Sequence, residues 1–151
     1  MKGVYCLVLR TPGREVAVGR LGPVIFRAGY YIYVGSALGP GGLEARVGRH
    51  FRRATTHEGR PHWHIDHLLI SPDVALVGAV LGATEEDMEC RLAAAIGGEA
   101  VAGFGCTDCS CSSHLFFRTE EPFAGIAGVF RGMGLVPQIR KSNMGEVHLS
   151  A

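Results

Sequence analysis

Hydrophobic and polar positions along this chain predict a mixture of strands and helices. Continuous apolar runs near the start of the chain and in its middle indicate buried strands. Between the first two of these runs, one segment of alternating polar and apolar residues and a further short segment indicate two additional strands. A short run after residue 113 indicates an edge strand. The predicted strands are 3–10, 15–19, 21–27, 30–37, 74–81 and 114–118.

Four other segments have helical periodicity. Residues 43–53 carry apolar side chains four residues apart, and 62–70 predicts a second, shorter helix. Thr84 is a suitable N-cap for a helix ending near residue 96, and 122–131 predicts a fourth helix. Together with the strands, this order predicts an α+β fold, a small and mainly antiparallel sheet flanked by helices.

The length of 151 residues suits one domain, which we expect over residues 1–131, followed by a C-terminal tail, 132–151, that is expected to be partly mobile. Hydrophobic residues make up 47% and charged residues 19%, which argues against wholesale disorder. The first residues lack the pattern of a signal peptide, and no run reaches the ~20 apolar residues of a membrane span. We therefore expect a cytoplasmic protein without membrane association.

The net charge of +1 hides an uneven distribution. Residues 1–60 hold 10 Lys and Arg against 3 Asp and Glu, whereas residues 61–151 hold 5 against 11. A basic first half predicts a one-sided field that favours a polyanion, unless folding interleaves the two halves.

Two tyrosine motifs carry the clearest chemical signal. Gly3-Val4-Tyr5 lies in the first strand, and Tyr33-Val34-Gly35 near the end of another. A glycine-rich turn and a helix with Arg46 and His50 follow. A tyrosine in a strand is often an ordinary core residue, but this succession predicts a phenol and a guanidinium beside one cleft.

These motifs resemble the GIY-YIG nuclease superfamily, in particular a mostly archaeal, uncharacterised branch with a long spacing between the motifs. The Leu43-x-x-Arg46-Val47-x-x-His50 helix fits the same pattern, as do Glu89 and Leu92 on a later helix. The resemblance covers roughly residues 3–96 and implies a GIY-YIG-like core. Residues 6–32 separate the tyrosines more widely than in that family, which predicts an inserted hairpin, and the family's late asparagine has no visible match.

The resemblance implies that Tyr5, Tyr33, Arg46, His50 and Glu89 form a catalytic site. Arg46 offers a forked permanent charge for a phosphate, and Glu89 could hold one Mg²⁺ or Mn²⁺ ion. Tyr33 is assigned as the base by analogy, although the sequence does not separate it from Tyr5. The predicted nucleic-acid contacts are Ser36, Arg49 and Arg53. A solvated helix face would explain the same arginines, and a surface acid would explain Glu89.

Cysteine and histidine clusters suggest a second chemistry. Cys106, Cys109, Cys111 and His114 are four potential zinc ligands within nine residues, and the segment 62–67 could add a histidine. Reduced thiols packed as small apolar groups are the preferred explanation of the cysteines. His64 or Asp66 could instead lie beside the cleft and contact substrate.

The sequence therefore predicts an endonuclease that hydrolyses nucleic-acid phosphodiesters with one divalent metal ion, DNA being favoured over RNA. Two alternatives stay open. One is a catalytically silent nucleic-acid-binding module of the same fold. The other is a zinc-stabilised interaction domain in which the tyrosines are core residues.

Overall fold

Seven strands and four helices form the computed structural model, which describes residues 1–106 and 111–142. The strands are β1 (Gly3–Thr11), β2 (Arg14–Val18), β3 (Gly22–Phe26), β4 (Gly29–Ala37), β5 (Ala75–Ala83), β6 (Leu115–Arg118) and β7 (Gln138–Lys141). The helices are α1 (Gly42–Thr56), α2 (His64–Leu69), α3 (Glu89–Ile96) and α4 (Phe123–Gly132). Within these described ranges, no helix combines the length and apolar character needed to cross a bilayer.

The main sheet has five strands in the order β6-β4-β1-β5-β7, and each neighbouring pair is antiparallel. Strands β2 and β3 form a separate antiparallel hairpin, joined by a short 3-10 turn at Gly19–Leu21. This hairpin lies between β1 and β4 in the sequence. The predicted α+β class, with an antiparallel sheet, flanking helices and an inserted hairpin, is confirmed.

Strand β1 is central and buried on both faces, because successive side chains of a strand point to opposite sides. Tyr5 and Leu7 belong to the core beneath α1 and α2, whereas Val4 and Cys6 belong to the core beneath α3 and α4. This double burial explains why the strand reads as one continuous apolar run.

The helix predicted from Thr84 begins five residues later, so the expected N-cap was wrong. The Thr84 hydroxyl oxygen accepts a hydrogen bond from the amide of Glu86, which closes a local turn instead. Helix α3 follows Met88, whose side chain is buried against the second core. As a result, Glu89 is the first residue of α3, where the helix dipole favours a carboxylate.

The segment assigned to the C-terminal tail contains a strand of the main sheet. Strand β7 pairs with β5 in the register Val80↔Ile139, and Ile139 packs against the second core. Its four residues alternate too briefly to give a clear strand pattern in the sequence. Residues 143–151 lie outside the described part of the chain, and the boundary at residue 131 stays a prediction.

Candidate functional site

A cleft of about 700 Å³ lies on the face of the sheet that carries α1 and α2. Five residues singled out in the sequence line it: Tyr5, Tyr33, Ser36, Arg46 and Glu89. They come from β1, β4, α1 and α3, so the fold collects side chains up to 84 positions apart from Tyr5 to Glu89. Most of the residues predicted for the nuclease site therefore line this one cleft.

Strand register brings the two tyrosine motifs together. Tyr5 is paired with Gly35 across β1 and β4, and Tyr33 is paired with Leu7 two positions away, so both phenols face the same side. Their ring centroids are 6.5 Å apart. A Cβ atom at Gly35 would lie 2.5 Å from the Tyr5 hydroxyl oxygen, so the glycine of the second motif makes room for the tyrosine of the first.

His50 lies behind Tyr5 and is in contact with it. Its Nε2 atom is 2.8 Å from the Tyr5 hydroxyl oxygen, and the side chain is only 1% exposed. Burial lowers the pKa of His50 to about 3, an effect that Asp66 opposes and that Arg46 reinforces. His50 is therefore neutral at physiological pH and shares a buried hydrogen bond with a phenol.

The electrostatic surroundings of the two phenols differ in detail. Burial raises the pKa of Tyr5, while a hydrogen bond and the charge of Arg46 act in the opposite direction. Burial also raises the pKa of Tyr33, and the charge on Tyr5 adds to this shift. The Glu89 carboxylate raises the pKa of both phenols, which indicates that it is electrostatically close to each.

Arg46 is held in place at the rim of the cleft. It donates a hydrogen bond of 3.0 Å to the Ser36 carbonyl oxygen, and its guanidinium carbon lies 4.6 Å from the ring centroid of Trp63. The guanidinium carbon of Arg49 is 4.3 Å from the same ring. Arg46 and Trp63 also line a second groove of about 330 Å³ together with Arg49 and Arg52, so a cationic surface continues outward from the cleft.

Arg53 contacts the segment that follows α1 and the start of α2. It donates to the Arg60 carbonyl oxygen, and its Nε atom lies 3.6 Å from the fully buried carboxylate of Asp66. Asp66 in turn accepts hydrogen bonds from the amides of His62 and Trp63, which caps α2. Among the described residues, neither Arg49 nor Arg53 is part of the cleft lining, and their contact with nucleic acid stays a prediction.

The cleft lining also contains residues outside the predicted catalytic set, among them His64, which the sequence suggested could lie beside the cleft. Arg20, from the turn of the inserted hairpin, lines it with His62, His64 and His67. The inserted hairpin therefore contributes a side chain to the cleft. His64 Nδ1 accepts a 2.8 Å hydrogen bond from the Gly105 amide, so in the neutral ring the proton is on Nε2. Burial lowers the pKa of His64.

Beside Glu89, the structure brings two of the predicted zinc ligands, Cys111 and His114, together with Cys90. Cys90 and Cys111 form a disulfide with a Cα–Cα distance of 5.7 Å, which corrects the expectation that Cys111 is a reduced thiol. The same two residues and His114 make up a group that could hold a metal ion, with ligand atoms within 4.8 Å of one another. Cys106 donates a hydrogen bond to the Phe104 carbonyl oxygen, and Cys109 lies outside the described residues.

Comparison with known families gives one result. The family described as "Domain of unknown function DUF123" matches residues 4–135, which includes every residue of the cleft named above. The chain belongs to this family. No curated protein and no solved structure matches the chain. The match covers the inserted hairpin, all four helices and four of the five strands of the main sheet, ends before β7, and assigns no activity to this DUF123 domain.

Proposed function

We propose that this DUF123 domain is a divalent-metal-dependent endonuclease of the GIY-YIG type, which hydrolyses phosphodiester bonds in nucleic acid, DNA being favoured. One observation carries the proposal. Tyr5, Tyr33, Arg46 and Glu89 were selected from separate motifs, and all four line the same cleft. Two phenols, a guanidinium and a carboxylate are the groups needed to bind a phosphate, hold a metal ion and move a proton.

The charge of the cleft supports an anionic substrate. Among the residues that the structure describes, its lining includes two arginines, three histidines and a single carboxylate, Glu89. A single carboxylate suits Mg²⁺ or Mn²⁺, which keep several water ligands and bind substrate phosphate as well. When bound, such an ion supplies positive charge and lowers the pKa of a coordinated water. Arg46, fixed by Ser36 and Trp63, places its fork toward a phosphodiester in the cleft.

The proton acceptor that the geometry favours is Tyr5, although the resemblance assigned the base to Tyr33. Tyr5 already shares a hydrogen bond with neutral His50, which holds the phenol oxygen in place, so the phenolate form of Tyr5 can take the proton of the attacking water and become the phenol. Arg46 acts against the burial that raises the Tyr5 pKa. Tyr33, beside it, orients the water or the phosphate.

The second groove supports a polymeric substrate over a small phosphoester. It shares Arg46 and Trp63 with the cleft and adds Arg49 and Arg52. Arginines along a groove contact successive backbone phosphates, and a partly exposed tryptophan offers a face on which a base can stack. A nucleic-acid strand that is cut in the cleft would therefore extend along helix α1.

One observation favours a catalytically silent binding module. Burial raises the pKa of both Tyr5 and Tyr33, which keeps the phenols protonated and weak as bases. A binding module would shift nucleic acid on a gel with a strong dependence on salt and leave it uncut.

A cleavage assay separates these two functions. Labelled single-stranded, duplex and branched DNA and matched RNA are incubated with the protein and Mg²⁺, Mn²⁺ or a chelator. We expect metal-dependent cutting of at least one substrate and its loss in Glu89→Gln. The matched control is Glu85→Gln, an exposed acid in the loop before α3, which should cut normally. Salt-sensitive binding without cutting of any substrate would contradict the nuclease function and favour the binding module.

A further inference from the structure

A compact group of soft metal ligands lies beside the cleft. The Sγ atoms of Cys90 and Cys111 and a ring nitrogen of His114 lie within 4.8 Å of one another. Tetrahedral ligands at about 2.0–2.3 Å from one zinc ion are roughly 3.5–3.8 Å apart, so the three atoms can surround one ion after small shifts. The group links the first turn of α3 to the chain just before β6.

His114 has the surroundings of a metal-binding histidine. It is 2% exposed, its Nε2 atom is 2.8 Å from the Cys111 sulfur, and its Nδ1 atom is 3.5 Å from a Glu89 carboxylate oxygen. Metal-bound histidines commonly direct their second ring nitrogen to a carboxylate, which fixes the tautomer and the ring orientation. Here the carboxylate belongs to the residue before Cys90.

We propose that Cys90, Cys111 and His114 form a zinc site in the reduced protein, and that this site fixes Glu89 at the cleft. The disulfide and the zinc site use the same two sulfur atoms and exclude each other. Binding needs both thiols in the reduced form and releases their two protons as the thiolates coordinate the ion. Structural zinc takes four ligands, and these three residues supply two sulfur atoms and one nitrogen atom.

The position of the group gives it a consequence for the cleft. Helix α3 packs with α4 in the second core, on the face of the sheet opposite the tyrosines. Glu89 reaches the cleft from the first residue of this helix, next to Cys90. A metal bridge from Cys90 to Cys111 and His114 therefore holds the carboxylate against β4 through β6. His114 acts as a positioning residue, and this second part of the proposal rests on the proposed function.

Metal analysis of the full chain tests the zinc site. The purified protein is reduced with a phosphine, which takes up the oxygen of water as the disulfide becomes two thiols, and is then dialysed against Zn²⁺. We expect about one zinc ion per chain, and an X-ray absorption spectrum that shows sulfur ligands. Cys90→Ser and His114→Ala should lose the ion, while the control Cys6→Ala, buried under α3 and α4, should keep it.

Cobalt titration of the reduced wild-type protein tests the site without relying on the cysteine and histidine variants to fold. Thiolate-to-cobalt absorption bands should appear, and Glu89→Gln should weaken cobalt binding roughly 10- to 100-fold, as expected for the loss of a carboxylate behind a ligand histidine. Zinc without sulfur ligands, retention of zinc in Cys90→Ser, or no metal in the reduced protein would overturn the site.

Different results would contradict the zinc site and the nuclease function. If the reduced protein binds zinc through sulfur but cuts no nucleic acid, the zinc site stands and the nuclease does not. If Mn²⁺ binding in the cleft, followed by electron paramagnetic resonance, is equally tight in zinc-loaded protein and in His114→Ala, the positioning of Glu89 is overturned. We expect Mn²⁺ binding to weaken roughly tenfold in His114→Ala.

Discussion

The two sides of the cleft are built in different ways. The tyrosine side takes Tyr5 and Tyr33 from neighbouring strands and Arg46 from the helix that follows them, so backbone pairing and one short connection fix their positions. The glutamate side takes Glu89 from a helix of the opposite layer and secures it through Cys90, whose partner is distant in sequence. The first side depends on the sheet, and the second on a few side-chain contacts.

This difference predicts two kinds of sensitivity. Substitutions on the tyrosine side should change the chemistry while the side itself stays in place, because the sheet holds it. The glutamate side should respond to metal concentration and to the state of its cysteines.

The largest expected effect is at Arg46. Arg46→Ala removes the guanidinium from the phosphate and should lower the cleavage rate by about 10²–10³-fold, a loss that more Mn²⁺ does not recover. Glu89→Gln should be equally slow at low Mn²⁺ but partly recover at high Mn²⁺, since it weakens metal binding. Single-turnover rates over a Mn²⁺ series measure both. Arg131→Ala, at the exposed C-terminal end of α4, is the matched arginine control. Recovery of both variants to the same extent would remove the distinction between the two sides.

The next effect separates the two phenols. Tyr5→Phe should lower the cleavage rate roughly 10²-fold or more because it removes the proposed base, whereas Tyr33→Phe should lower it less. Burial raises the Tyr5 pKa and keeps the phenol protonated at neutral pH, so the phenolate fraction grows as the pH rises. The wild-type rate should therefore rise from neutral to alkaline pH, and the rise should be absent in Tyr5→Phe. Loss of the rise in Tyr33→Phe instead would return the base to Tyr33.

A stability effect is expected at the glycine of the second motif. Gly35→Ala places a Cβ atom 2.5 Å from the Tyr5 hydroxyl oxygen, and the resulting overpacking should lower the free energy of unfolding by about 1–3 kcal/mol. Gly39→Ala is the matched control, because nothing lies within 4 Å of its added Cβ. Denaturant unfolding measures both. Equal stability of the two variants would mean that Gly35 does not determine the position of Tyr5.

A more gradual effect, spread over several pH units, is a dependence of stability on pH. Burial lowers the pKa of His50 from 6.5 to about 3 in the folded protein, so below pH 6.5 the unfolded chain binds a proton that the folded protein does not. The stability from neutral His50 is complete above pH 6.5 and declines by at most about 1.4 kcal/mol per pH unit as the pH falls toward 3. His50→Gln should have a flatter profile in denaturant unfolding between pH 6.5 and 4. Identical slopes would contradict the burial of a neutral imidazole.

The sequence predicted most of the fold and the tyrosine side of the cleft for a physical reason. Strand periodicity and turn residues are local signals, and Tyr5, Tyr33 and Arg46 come from consecutive parts of one small unit. Glu89 was found by its motif spacing, although its helix begins later than the cap at Thr84 suggested.

The remaining parts of the site depend on long-range packing. Arg20 reaches the cleft because of the way the hairpin folds back, and the length of an insertion does not reveal that direction. Cys90 is isolated in the sequence, 16 positions before Cys106, so ligand spacing gave no reason to include it. His50 was recognised by its motif, but its burial depends on how α1 packs on the sheet.

The most direct test of the central claim is a double-mutant cycle on cleavage. Single-turnover rates are measured for the wild type, Arg46→Ala, Glu89→Gln and the double variant on the same labelled DNA with Mn²⁺. If both side chains act on one phosphodiester in one cleft, the double variant should be about as slow as the slower single variant. Rate losses that multiply independently, or a wild-type protein that cuts none of the substrates, would contradict the account.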